Sequence, residues 1–146
     1  MPHAHISLIT LGVSDVVRAA RFYEALGFTR KMRAAPANEV AFFEAGDVAL
    51  SLYVMTGLAS DGGFARDDQP SSFRSMSLSW NCASRSEVDE VMALASKSGG
   101  RERVAAKDTA WGGYHGHFTD PDGHLWEVAH NPGFPLSDDG RVTLPD

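Results

Sequence analysis

Asp120-Pro121-Asp122-Gly123-His124-Leu125-Trp126-Glu127-Val128 decides the reading of this chain. Its first half is made of turn formers: aspartates that bond their own backbone, a proline that presets φ, and a glycine free to take positive φ. Its second half is an apolar strand carrying one carboxylate, Glu127. An earlier stretch, Gly46-Asp47-Val48-Ala49-Leu50-Ser51-Leu52-Tyr53, has the same form, and laid over each other the two strands place Ser51 opposite Glu127. Ahead of each lies the same series of an apolar strand, a capped helix and further strand-like runs. The 146 residues therefore read as an α+β protein of two tandem βαβββ modules. Module one covers about residues 6–55, a connector about 56–72, module two about 73–130, and a tail 131–146.

In the first module, Ile6 to Val13 is β-branched enough for a strand, and Ser14 or Asp15 supplies a helix N-cap. Val16, Ala19, Ala20, Tyr23 and Leu26 then share one helical face, and Gly27 stops the helix. Strands are predicted over Phe28–Arg33, Glu39–Ala45 and Val48–Met55. The stretch Thr56–Ser72 reads as irregular and suits either a plain connector or a lid. In the second module, Arg74–Trp80 alternates as a strand, and Ser84-Arg85-Ser86-Glu87 is a capping box in which serine and glutamate each bond the other's backbone amide. Val88, Val91, Met92 and Ala95 form the buried stripe, and Gly99-Gly100 ends the helix. Strands follow over Arg101–Ala106, Gly113–Thr119 and His124–Ala129.

Hydrophobic content of 43% and charged content of 22% are those of an ordinary globular domain. A net charge of −6 and the absence of a basic cluster argue against nucleic acid and anionic membranes as partners. The acidic balance suits a cationic ligand instead. One cysteine, Cys82, excludes an internal disulfide and a cysteine-rich zinc site, and its position after an apolar strand suits a packed thiol. No stretch has the roughly 18 apolar residues of a membrane span. The start Met1-Pro2-His3-Ala4-His5 has no secretory pattern, so the expected location is cytoplasmic.

Two groups of side chains besides Glu127 carry chemistry. His115 and His117 are spaced i, i+2, which puts both on one face of a strand. They suit polar or substrate contacts, or a relocated metal site shared with Glu127. Trp111 and Tyr114 bracket Gly112-Gly113 near the entrance of the last hairpin, where a flat apolar or aromatic ligand would fit. Trp126 adds a third aromatic, whereas Phe42 and Phe43 read as core.

Leu11-Gly12-Val13-Ser14-Asp15 with Arg21-Phe22-Tyr23-Glu24-Ala25-Leu26-Gly27-Phe28, and the closing Asp120–Glu127 stretch, resemble the vicinal oxygen chelate superfamily of glyoxalases, bleomycin resistance proteins and extradiol dioxygenases. The resemblance covers the chain to about Pro132. It implies that each module curls its sheet, that the two enclose a small-molecule cavity, and that the protein is a homodimer. It also implies a divalent ion held by four inward positions, here Leu8, Ser51, Ser75 and Glu127. Only Glu127 has the chemistry of a ligand, so the inherited metal set is incomplete and the cofactor is left open.

Glu127, flanked by Trp126 and Val128, is the expected catalytic residue; among apolar neighbours its pKa would rise towards that of a general base. An ion pair with Arg74 or Arg30 is the structural alternative. Trp111, Tyr114, His115, His117, Trp126, Ser51 and Ser75 are the expected substrate contacts. Three functions follow. The first is a glyoxalase-like lyase or isomerase working through Glu127. The second is a metal-free binding protein that sequesters a planar aromatic ligand, as resistance members do. The third is an orphan scaffold with a filled interior.

Overall fold

The computed structural model describes residues 2–146, which form two compact units divided between Pro70 and Ser71. The first contains β1 (Leu8–Val13), α1 (Val16–Ala25), β2 (Arg30–Lys31), β3 (Val40–Ala45), β4 (Val48–Val54) and α2 (Met55–Asp61). The second contains β5 (Leu78–Asn81), α3 (Arg85–Lys97), β6 (Arg101–Asp108), β7 (Tyr114–Thr119) and β8 (Leu125–His130). Each unit has one four-stranded mixed sheet, ordered β1-β4-β3-β2 in the first and β5-β8-β7-β6 in the second. In both, the first strand runs parallel to the last and the remaining neighbours are antiparallel. The architecture is α+β, built on two copies of βαβββ.

Both long helices begin as the sequence dictates. Asp15 caps α1 by accepting the Arg18 amide, and Gly27 ends it at a φ of 99°. Val16, Ala19, Ala20, Tyr23 and Leu26 are all buried, with Tyr23 packed edge-on against Phe22 and Phe28 and tilted against Phe43. At α3, Ser84 accepts the Glu87 amide as expected, but the Glu87 carboxylate bonds the amide of Ala83 rather than that of Ser84. Val88, Met92 and Ala95 are buried beneath it, and Val91 is half-buried.

Three expectations need correction. Residues 55–61, of which Met55 was read as the end of a strand and the rest as irregular, form α2; Leu58 reaches to within 3.2 Å of where a Cβ on Gly12 would stand, so tertiary packing supports this helix despite its glycine. The strand expected over Phe28–Arg33 shrinks to two residues, because Met32 turns into the left-handed region at a φ of 52°. Arg74–Trp80 is a strand only from Leu78, since Ser75 takes a φ of 54° and breaks the alternation.

The turn between β7 and β8 is organised by one buried side chain. Asp120, 3% exposed, accepts the amides of Asp122 at 2.9 Å and His124 at 2.8 Å through Oδ1. Gly123 closes the turn at a φ of 88°, and Arg74 donates to the Asp122 carbonyl at 2.7 Å. Removing the carboxylate in Asp120→Ala strands two amides, and each unsatisfied buried group costs about 1–3 kcal/mol. We expect a loss of about 3 kcal/mol, read as a lower urea midpoint at unchanged m-value.

Candidate active site on the second sheet

The register of β5, β8 and β7 assembles the site. His117 pairs across the ladder with Glu127, His115 with Ala129, and Ser79 on β5 with Glu127. Directly paired residues share a face, so Ser79, His115, His117 and Glu127 stand together. Gly116, Phe118, Trp126 and Val128 occupy the opposite face, which is the core side. Gly116 between the histidines matters here, because a Cβ would lie 3.0–3.1 Å from Met92 and the Ala106 amide. With no side chain there, α3 packs closely on β7 while both imidazoles look the other way.

Glu127 is the centre of the cluster. Its Oε1 accepts the Ser79 hydroxyl at 3.0 Å, and its Oε2 lies 2.7 Å from His115 Nδ1. The His115 and His117 rings stand 4.9 Å apart at 71°. The indole of Trp111 meets His115 edge-on at 5.7 Å. It can fold back this way because residue 113 is glycine: a Cβ there would fall 1.8 Å from the indole ring. The His115 and Glu127 side chains retain 20% and 27% exposure, enough for a small molecule to reach them. A cavity of about 500 Å³ adjoins the cluster, with His117, Val104, Leu125, Arg74, Arg101 and Arg103 in its wall.

Other expected contacts lie elsewhere. Trp126 is core, 5% exposed and stacked on Phe118 at 6.0 Å, because its parity turns it away from Glu127. Tyr114 also faces the helix side: its hydroxyl donates to Asp89 at 2.6 Å and the Arg85 guanidinium covers its ring at 4.1 Å. That hydrogen bond to Asp89 raises the phenol's pKa. Ser51 is buried in the first unit, 2.6 Å from Thr10 Oγ1, while Ser75 lies outside any strand. Among the described residues Glu127 pairs with Ser79 and His115 and with no arginine. Arg74 is engaged with His124 and Asp122, and Arg30 with Glu24. Its surroundings are also polar rather than apolar, since Trp126 and Val128 point to the other face. Cys82 is a packed thiol, its pKa pushed up to about 12 by burial, with Glu87 and Glu90 adding to the effect.

Sequence reasoning missed Ser79, Arg101 and Arg103. The signal for Ser79 was its place one residue before Trp80, which the parallel register converts into a partner for Glu127. For Arg101 and Arg103 the signal was their spacing of two within a predicted strand, which puts them on one face, and the pairing of Arg101 with Thr119 makes it the face of His117.

The family model for the Glyoxalase/Bleomycin resistance protein/Dioxygenase superfamily matches residues 5–128. The chain belongs to this superfamily. A glyoxalase-related enzyme from Fulvimarina pelagi is 34% identical, with 97% of this chain and 99% of that one covered at a TM-score of 0.85. A glyoxalase/bleomycin resistance protein/dioxygenase family enzyme from Burkholderia phytofirmans PsJN shares the fold at 16% identity, 87% and 98% coverage and a TM-score of 0.77. A lactoylglutathione lyase from Agrobacterium tumefaciens does so at 20% identity, 89% and 96% coverage and a TM-score of 0.65. No curated protein matches the chain.

Membership raises the question of the superfamily's metal ion. The strand registers pair Thr10 with Ser51 and Ser79 with Glu127, so the residues on the first and last strands are three hydroxyls and one carboxylate. Shifting the first-strand positions back to Leu8 and Ser75 replaces a hydroxyl by an alkyl group and adds no imidazole or carboxylate. That donor set does not fit a divalent transition ion, which takes three or four His, Cys or carboxylate ligands.

His117 has a second distinctive property. Burial depresses its pKa below 6.5, the positive field of His115 adds to this, and Glu127 opposes it. The folded state then binds fewer protons here than the unfolded chain, so this residue costs stability as pH falls through about 6.5 and nothing well above it. An NMR titration of the imidazole is expected to give a midpoint below 6.5, and His117→Ala to lose less stability than the parent on acidification.

Proposed function

We propose that this superfamily member processes a small carbonyl-containing molecule by proton transfer at Glu127, as a lyase or isomerase. The observation that carries the reading is the carboxylate held from both sides, by Ser79 at Oε1 and His115 at Oε2, beside a cavity that admits a small ligand. A carboxylate has about four lone-pair sites, so two remain for a substrate proton. In the reaction, the substrate carries a hydroxyl on the carbon next to its carbonyl, and Glu127 takes the proton from that carbon. The electron pair moves onto the carbonyl oxygen, to which a neutral His117 gives its N–H proton, and the resulting imidazolate-like nitrogen takes back the proton of the α-hydroxyl. Return of the carbon-bound proton to the former carbonyl carbon leaves the carbonyl on the neighbouring carbon, an isomerisation in which no atom is gained or lost. No step passes through an ion at the superfamily's own positions. The lyase among the structural neighbours supports this reaction class.

Arg101 and Arg103 in the cavity wall favour an anionic substrate. Local charge thus reverses the preference for a cation drawn from the net charge of −6. The second reading, sequestration of a planar aromatic ligand, is favoured by Trp111, which is 50% exposed and presents its indole beside His115. No helix among the described residues is long and apolar enough to cross a membrane. A cytoplasmic homodimer remains part of this proposal.

The test is exchange of substrate α-protons into deuterated water, followed by NMR over a panel of α-hydroxy and α-keto carbonyl compounds, thiol adducts included. We expect exchange with an anionic member of the panel and a fall of about 10²–10⁴-fold in Glu127→Gln. No exchange with any compound, together with saturable quenching of tryptophan fluorescence by an aromatic ligand, would establish the binding reading instead.

A further inference from the structure

We propose that His115, His117 and Glu127 form a binding site for one divalent transition-metal ion, which keeps the superfamily's position at Glu127 on β8 and replaces the other three by two histidines on β7. Each residue offers a ligand atom, and the three atoms lie within 4.8 Å of one another. All three side chains are partly buried, stand on adjacent strands, and share a face of a single sheet. Two Lewis bases, His115 Nδ1 and Glu127 Oε2, already converge at 2.7 Å, where only a proton or a cation can separate them. Bonds of about 2.0–2.1 Å in tetrahedral geometry require ligand atoms roughly 3.4 Å apart. The His115–Glu127 contact of 2.7 Å must therefore open by about 0.7 Å and His117 must close in, movements within the reach of side-chain torsions.

The surroundings match those of an open metal centre. Ser79 holds the second carboxylate oxygen, which fixes the carboxylate plane as outer partners of metal ligands commonly do. Trp111 covers His115 from one side. His117 borders the 500 Å³ cavity, leaving space for water or a substrate oxygen at a fourth position. Two imidazoles and one carboxylate select zinc, iron, cobalt or nickel over magnesium or calcium, whose sites are built from oxygen. The carboxylate lone pair that would take an ion is one that could take a proton. Metal binding and ion-free proton transfer are therefore alternative states of Glu127.

The probe is Zn²⁺ for affinity and Co²⁺ for spectroscopy, added to chelator-treated full-length protein. Calorimetry is expected to give one Zn²⁺ per chain, and Co²⁺ to give a visible d–d spectrum and to broaden the His115 and His117 imidazole resonances. His117→Ala and Glu127→Gln should each weaken Zn²⁺ by at least 100-fold, and Ser79→Ala by about 10-fold. Ser51→Ala should leave affinity unchanged, as should removal of both His3 and His5. Absence of stoichiometric binding overturns the proposal, as does binding that survives His117→Ala or is lost with His3 and His5. Broadening in the parent protein stands as evidence even where a variant fails to fold. Zinc binding that stays intact while no compound exchanges overturns only the proton-transfer reading. Exchange without zinc binding overturns only this one.

Discussion

The site depends on the register between β7 and β8, and that register is pinned by the Asp120 carboxylate. A strand alternates its side chains, so a slip of one residue would turn Glu127 and both histidines from the ligand face into the core, and bring Trp126 and Val128 out. The penalty for such a slip is high on both sides: buried charges without partners on one face, exposed aromatic area on the other. Asp120 prevents it by satisfying the amides of Asp122 and His124 in a turn of one length only. Arg74 ties the same turn to the segment that precedes β5. The turn thus sets the position of the final strand against β7 and supports it from the side of β5.

The two modules use one backbone plan for different ends. At equivalent places in the parallel registers, the first unit holds Thr10 and Ser51, and the second holds Ser79 and Glu127. In the first, two hydroxyls bond each other at 2.6 Å and Ser51 is buried. In the second, the serine serves a carboxylate, and the third strand contributes two imidazoles. Duplication supplied the scaffold, and at these equivalent positions the carboxylate and the imidazoles stand in the second copy. Placing several partners around Glu127 is what makes a carboxylate on a half-buried strand tolerable.

Local electrostatics also depart from the global balance. The chain is acidic as a whole, yet Arg101 and Arg103 stand on the edge strand β6 and line the cavity. Arg101 pairs with Thr119, two residues from His117 on β7, and Arg103 lies two residues beyond Arg101. Bulges and charges on an edge strand discourage pairing with other chains, and here two of those charges also line the cavity. One feature of the edge thus answers both a folding hazard and a recognition need.

The sequence by itself determined the repeated βαβββ order, the helix caps at Asp15 and Ser84, the packed nature of Cys82, and the place of Glu127 on the last strand. These follow from local physics: periodicity, turn chemistry, and a charged residue in an apolar run. It also placed His115 and His117 on one face, because a spacing of two leaves no other choice within a strand. Only the tertiary structure decided what those residues meet. Trp126 was expected at the substrate although its parity sets it opposite to Glu127, and pairing was needed to show that Ser79 is the carboxylate's partner, that Tyr114 is bound to Asp89 behind the sheet, and that Ser75 has left the strand. Helix α2 escaped local reading because its stability comes from packing against β1 and β4 rather than from propensity. Which histidine faces which carboxylate is a property of strand register, and register arises between segments distant in sequence.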